Sequence, residues 1–173
     1  MTLQEALKGK EIPAHIRQNL VLVETEYWGF DEACHRGHLV LHRDLADEVR
    51  GIFCEITSAR FPIAKMAPVM AYAWSDDDSM SDNNSSAFNY RLAVAKTHLS
   101  QHAYGRAIDI NPVQNPYIKG NVVLPPGAVY DPAARGTLLA EGPVVAAFEK
   151  RGWVWGGRWT TLKDWHHFEK PEA

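Results

Sequence analysis

Cysteine is scarce. Cys34 and Cys54 are the only two in the chain, too few for a disulfide framework and not spaced as a C-x-x-C pair. They are expected to be ordinary thiols, with Cys54 in the core; a bridge between them would indicate an oxidising compartment. Long apolar runs are missing too: none approaches the ~20 residues of a membrane span. No basic run and no basic–aromatic interleaving accompany the formal net charge of −3, which argues against nucleic acid as a partner. The opening MTLQEALKGKEIPAHI has no charged leader followed by an apolar core, so no secretory signal is visible. There is no repeat, and no H-E-x-x-H helix of the commonest metallopeptidases.

What is present is a globular composition. With 173 residues, 46% hydrophobic and 23% charged, the chain suits one domain with a real core, expected to be a monomer. Residues 1–18 read as a short helix and a connector broken at Pro13. Asn19–Trp28 reads as a strand, Gly29–Gly37 as a loop and His38–His42 as a short strand. Leu45, Ala46, Val49, Ile52 and Phe53 recur at helical spacing, predicting a helix over about Arg43–Glu55. Met66–Trp74 alternates weakly, as a strand would. Asp76–Ser86 reads as a polar loop; its three carboxylates suggest half a calcium loop, but the Gly and the distant Glu are missing. Arg106–Ile110 reads as a strand, Asn111–Asp131 as a long loop forming a site wall, and Pro143–Arg151 as a helix ended by Gly152. Trp153–Gly157 and Trp165–Glu169 read as strands. Strands and helices do not alternate as βαβ units. The expected class is therefore α+β: a small, mainly antiparallel central sheet flanked by helices, with the site on the sheet.

Two segments carry chemistry. Ser100–Asn115, SQHAYGRAIDINPVQN, holds His102 and Asp109 on either side of Gly105. Asp164–Glu169, DWHHFE, holds two imidazoles between carboxylates. His102 and Asp109 are too far apart in sequence to share one strand face directly, but a turn at Tyr104-Gly105 leading into a strand brings them to a common point. With His166 or His167 as a third donor they form a zinc set that leaves one position for water. Asp164 is then a candidate general base, and Arg91 a candidate cation for the oxyanion of a tetrahedral intermediate. Each residue also has a plain reading: a surface or satisfied His102, a strand-end cap at Asp109, a turn carboxylate at Asp164, a surface charge at Arg91. Trp153, Trp155, Trp159 and Trp165 read as core rather than as a substrate platform.

The motif S-x-H-x-x-G-x-A-x-D over Ser100–Asp109, with the late Asp164-x-x-His167, resembles the D-alanyl-D-alanine carboxypeptidase and dipeptidase family of zinc peptidases. That family includes peptidoglycan L-Ala-D-Glu endopeptidases. NNSSAFNYR at Asn83–Arg91, GRAIDINPVQNPY and GWVWGG at Gly152–Gly157 match as well. The resemblance runs from about His38 to Glu169, which sets residues 1–37 apart as an N-terminal extension packed on a zinc peptidase domain at 38–173. It implies His102, Asp109 and His167 as zinc ligands, Asp164 as general base, Arg91 polarising the scissile carbonyl, and Ser100 in contact with substrate or with a ligand. The family often has Glu where Asp164 stands; the shorter Asp occurs in its endopeptidase-like branch.

The resemblance therefore implies hydrolysis of an amide in peptidoglycan stem peptides, and a periplasmic or extracellular place of action. The competing expectation is a zinc-containing binding module of the same fold without turnover. Asp164 and Arg91 together favour the enzyme. A carboxypeptidase would also need a cation for the terminal carboxylate, for which Arg60, Arg106 and Arg158 are candidates. One tension stands: in a plain strand Asp164 and His166 share a face and His167 points away. The family spacing therefore requires Asp164 to sit in a turn before the strand.

Overall fold

The computed structural model describes residues 1–94 and 96–171. Its elements in chain order are α1 (Leu3–Ala6), α2 (Ala14–Arg17), β1 (Leu20–Trp28), β2 (Cys34–His42), α3 (Ala46–Ser58), β3 (Lys65–Met66), α4 (Asp76–Ser81), β4 (Asn84–Ser85), β5 (Ala107–Asp109), β6 (Tyr117–Lys119), β7 (Val122–Leu124), α5 (Pro143–Glu149), β8 (Val154–Trp155), β9 (Lys163–Asp164) and β10 (His167–Glu169). Single 3-10 turns cover Arg43–Leu45, Val69–Tyr72, Gln101–Tyr104 and Gly156–Arg158.

The mixed helix and strand content is as expected, but the single central sheet is not. The strands form four small sheets: β1-β2, β5-β10-β8, β3-β4 and β7-β6-β9, all antiparallel except β3-β4. The hairpin β1-β2 pairs without interruption from Leu20↔His42 to Trp28↔Cys34. Its second strand therefore begins at Cys34 rather than His38, and residue 37 falls inside it. A polar run in mid-strand hid it: Glu24 and Glu26 lie opposite His38 and Arg36, so polar cross-strand pairs replace apolar alternation there.

Nearer its base both faces of the hairpin are covered. Val23, Leu39 and Leu41 face the main core, with Val49, Ile52, Phe53 and Ile56 of α3 and Val144, Val145, Ala147 and Phe148 of α5. Leu20 and Val40, on the opposite face, meet Ala6, Leu7 and Ile16 of the N-terminal segment and Phe88. A strand covered on both sides needs apolar residues at successive positions, as Leu20–Val23 and Leu39–Leu41 supply. Phe168 of β10 stacks on Phe148 at 4.1 Å between centroids and ties the α5 core to the strand that carries His167.

Several segments differ from expectation. Met66–Trp74 is a two-residue strand and a 3-10 turn, and Ala73 and Trp74 both take left-handed φ. Asp76–Ser86 is not a loop: Ser75 caps α4, its Oγ accepting from the Asp78 amide at 3.2 Å, and three carboxylates in the first turn suit the positive end of a helix. Asn111–Asp131 contains the hairpin β6-β7, and Tyr117 and Leu124 from it do line the site. Both cysteines are free and exposed. Cys54 is not in the core because it lies on the outer face of α3, between the inward Phe53 and Ile56. No helix among the described residues is long and apolar enough to cross a membrane.

Candidate metal centre and active site

Three short pieces of backbone meet at the site. Ser100 starts the first: its Oγ accepts from the His102 amide at 3.3 Å, and the 3-10 turn Gln101–Tyr104 places His102 inward. Gly105 ends that turn with φ +68°, and β5 begins two residues later at Ala107. A Cβ at Gly105 would lie 2.5 Å from the His42 nitrogen and 2.8 Å from the Leu41 carbonyl carbon. Gly105→Ala therefore forces both a left-handed non-glycine residue and a backbone clash, an expected loss of about 2–4 kcal/mol. That lowers Tm by roughly 5–15 °C in a protein of this size, measurable by calorimetry; a shift under 2 °C would show that the turn relaxes freely.

The second piece is β5 and the third is β10. Their antiparallel register sets His167 directly opposite Asp109, so the two side chains are cross-strand neighbours on one face. Asp164 and His167 both reach the site because they lie in different sheets: β9 pairs with β6, and β10 with β5 and β8. Between them Trp165 donates its amide to Pro116, and the His166 carbonyl accepts from Ile110. The expected turn is thus at Trp165-His166, and Asp164 ends a short strand of its own.

His102 Nε2 lies 3.1 Å from His167 Nδ1 and 3.1 Å from Asp109 Oδ2, and His167 Nδ1 lies 3.0 Å from Asp109 Oδ1. All three residues are buried, at 2%, 5% and 6% exposure for His102, Asp109 and His167. Donors bonded to zinc at ~2.0–2.1 Å in a tetrahedron are roughly 3.3 Å apart, close to these separations. The outer nitrogens decide the tautomers. His102 Nδ1–H donates to the Ala87 carbonyl, and His167 Nε2–H donates to Glu169 Oε2 at 3.0 Å. With each outer nitrogen engaged in this way, the inward nitrogen is the one that presents a lone pair to an ion once it carries no proton, the arrangement usual in metal-ligating histidines. This donor set fits zinc. Among the described residues it is the one cluster of this kind able to hold a metal ion.

Charge at the site is tightly matched. Burial opposes ionisation of Asp109, yet the His102 and His166 imidazoles hold its carboxyl well below the usual carboxylate range. Burial opposes protonation of His167, yet Asp109 and Glu169 raise it to about 10. His166 behaves alike: burial is outweighed by Asp164 and Asp109, and it rises to about 9.

The triad opens on a cavity of about 290 Å³. Asp164, Arg91 and Ser100 all line it. Asp164 Oδ1 is 2.9 Å from His166 Nε2, close enough for the ion pair that raises His166, though off linear hydrogen-bonding geometry. His166 itself is buried and donates Nδ1–H to the Asn115 carbonyl at 2.7 Å.

The three arginines considered for a substrate carboxylate do not reach the cavity. Arg60 lies over the Trp28 ring, Arg106 donates to the Lys170 and Pro171 carbonyls, and Arg158 pairs with Glu149. Lys96 and His98 line the cavity instead. Among the lining residues that sequence reasoning missed are Asp76, Glu169 and Trp159. Trp159, read as core, is half-buried, with its ring centroid 5.5 Å from His167. Glu169 was legible as the carboxylate two residues past His167 on one strand face; Asp76 gave no signal beyond the acidic start of a capped helix.

No curated protein and no solved structure matches the chain. Residues 93–170, which carry the whole triad together with Ser100 and Asp164, match the model of the D-alanyl-D-alanine carboxypeptidase family.

Proposed function

We propose that the protein is a zinc-dependent peptidase that hydrolyses an amide bond in peptidoglycan stem peptides, of the D-Ala-D-Ala carboxypeptidase or the L-Ala-D-Glu endopeptidase type, and that it acts in the periplasm or outside the cell. The observation that carries this reading is one open-sided set of His102, Asp109 and His167 facing a cavity that also holds Asp164 and Arg91. A structural zinc site would be closed by a fourth protein ligand. The match to the family supports the substrate class.

Zinc, when bound, supplies Lewis acidity that brings the ionisation of a water toward neutral pH. Asp164, which lines the cavity beside the triad, takes the proton from the attacking water as the new C–O bond forms. The Arg91 guanidinium donates to the oxygen that becomes negative. Asp164 then delivers its proton to the amide nitrogen as the C–N bond breaks, releasing a free amine and a carboxylic acid. Ser100 lines the same cavity and is assigned contact with substrate.

Digestion of purified sacculi with and without chelator, followed by mass analysis of released peptides, tests this. New amine termini that vanish with chelator and return with zinc are expected. Binding to sacculi without release of any amine by the zinc-loaded protein would replace the enzyme with a binding module.

A further inference from the structure

Arg91 does not stand free in the cavity. Its guanidinium nitrogen NH2 lies 3.0 Å from Asp76 Oδ2, and NH1 donates to the Leu92 carbonyl at 3.2 Å. Its Nε is buried and has no partner. The other oxygen of Asp76 accepts from Asn89 Nδ2 at 3.0 Å, and the Asn89 amide donates to the His102 carbonyl at 3.2 Å. One carboxylate on the first turn of α4 thus holds the arginine with one oxygen while the Asn89 side chain fixes its other oxygen. The Asp76 and Arg91 side chains are 25% and 23% exposed, so the pair is largely shielded from water.

We propose that Asp76 is the positioning residue of the active site, fixing the Arg91 guanidinium so that its remaining donors meet the oxyanion of the scissile amide. An arginine side chain carries large rotamer freedom, and a donor helps the transition state only if it is already in place. The Leu92 carbonyl restrains one nitrogen; Asp76 supplies the second anchor, which removes rotation about the guanidinium plane. It is not one of the three groups able to hold the metal, and it acts through Arg91. The inference rests on the role given to Arg91 above.

The test is a double-mutant cycle in the zinc-loaded full chain. Asp76→Ala is expected to lower kcat roughly 10–100-fold, with KM changed less than about threefold and zinc stoichiometry unchanged. Asp77→Ala, in the same helical turn but exposed, is the folding control and keeps full activity. In an Arg91→Ala background, Asp76→Ala is expected to change kcat by less than about twofold, because the group it acts through is gone. A phosphinate mimic of the stem-peptide bond gives a readout without turnover: Asp76→Ala and Arg91→Ala weaken its binding by similar factors. Equal losses from Asp76→Ala in both backgrounds, or full activity of Asp76→Ala beside an impaired Arg91→Ala enzyme, overturn the assignment of Asp76 alone. Full kcat in Arg91→Ala overturns the role of Arg91 itself, and this inference with it.

Discussion

Asp164→Asn is expected to lower kcat by about 10²–10⁴-fold, the range typical of a lost general base, while zinc content stays at the unmodified level. The substitution keeps shape and removes only the ability to take a proton. Asp164 is outside the group of three that can hold the ion, so metal loss cannot account for the drop. Its Oδ1 lies 2.9 Å from His166 Nε2, and the carboxylate helps hold that imidazole protonated, so Asp164 stands as the ionised partner of the pair, as a base must. The carboxylate lines the cavity beside the triad, where its side chain is 15% exposed and can meet an attacking water. KM should move little, because the proton transfer is made in the transition state and not in substrate binding. Asp164→Glu, which restores the carboxylate on a longer stem, is expected to recover part of the rate. Steady-state kinetics with metal analysis on the same samples decide it. An Asp164→Asn enzyme retaining more than about a tenth of kcat would assign the base to another group.

The site was more legible in the sequence than the frame around it. His102, Gly105 and Asp109 could be read because the chemistry is local: a turn, a residue free to take φ +68°, and a strand start. The choice of His167 over His166 could not be made from periodicity. A continuous strand over 165–169 puts His166 beside Asp164, and the actual chain leaves one sheet at Asp164 and enters another at His167. The partners that force this break, Pro116 and Ile110, lie about fifty residues upstream and leave no local mark. The same holds for α4. Asp76–Asp78 are unremarkable as a polar run, and only the Ser75 cap and the contacts of Asp76 with Asn89 and Arg91 give the segment a role. The β1-β2 hairpin was half visible, since the polar pairs midway along it carry no apolar pattern. Four small sheets in place of one follow from pairings of two or three residues between distant segments, which alternation cannot register.

Zinc should stabilise this protein more strongly as pH rises, and the ligand protons set the slope. Without an ion, His167 keeps its proton up to about 10 and His166 up to about 9, against roughly 6.5 for an imidazole in the unfolded chain. Both folded-state values are raised. The stability these protons give the metal-free fold is therefore fully present below about pH 6.5 and is lost as pH climbs through 9 to 10. Zinc needs the His167 Nδ1 lone pair, so binding must expel that proton. Affinity then rises about tenfold per pH unit for each proton released, or about 1.4 kcal/mol per unit of added stability at saturating metal. The gap in Tm between zinc-loaded and chelated protein should widen by roughly 3–5 °C per pH unit between pH 6.5 and 9. Calorimetric titration in buffers of different ionisation enthalpy should count at least one proton released at pH 7. His167→Ala, which removes both a ligand and the partner of Asp109 and Glu169, should abolish the gap at every pH and activity with it. A gap that stays constant from pH 6.5 to 9 would mean that His167 is already deprotonated before the ion arrives, and that the carboxylates around it do less than their distances imply.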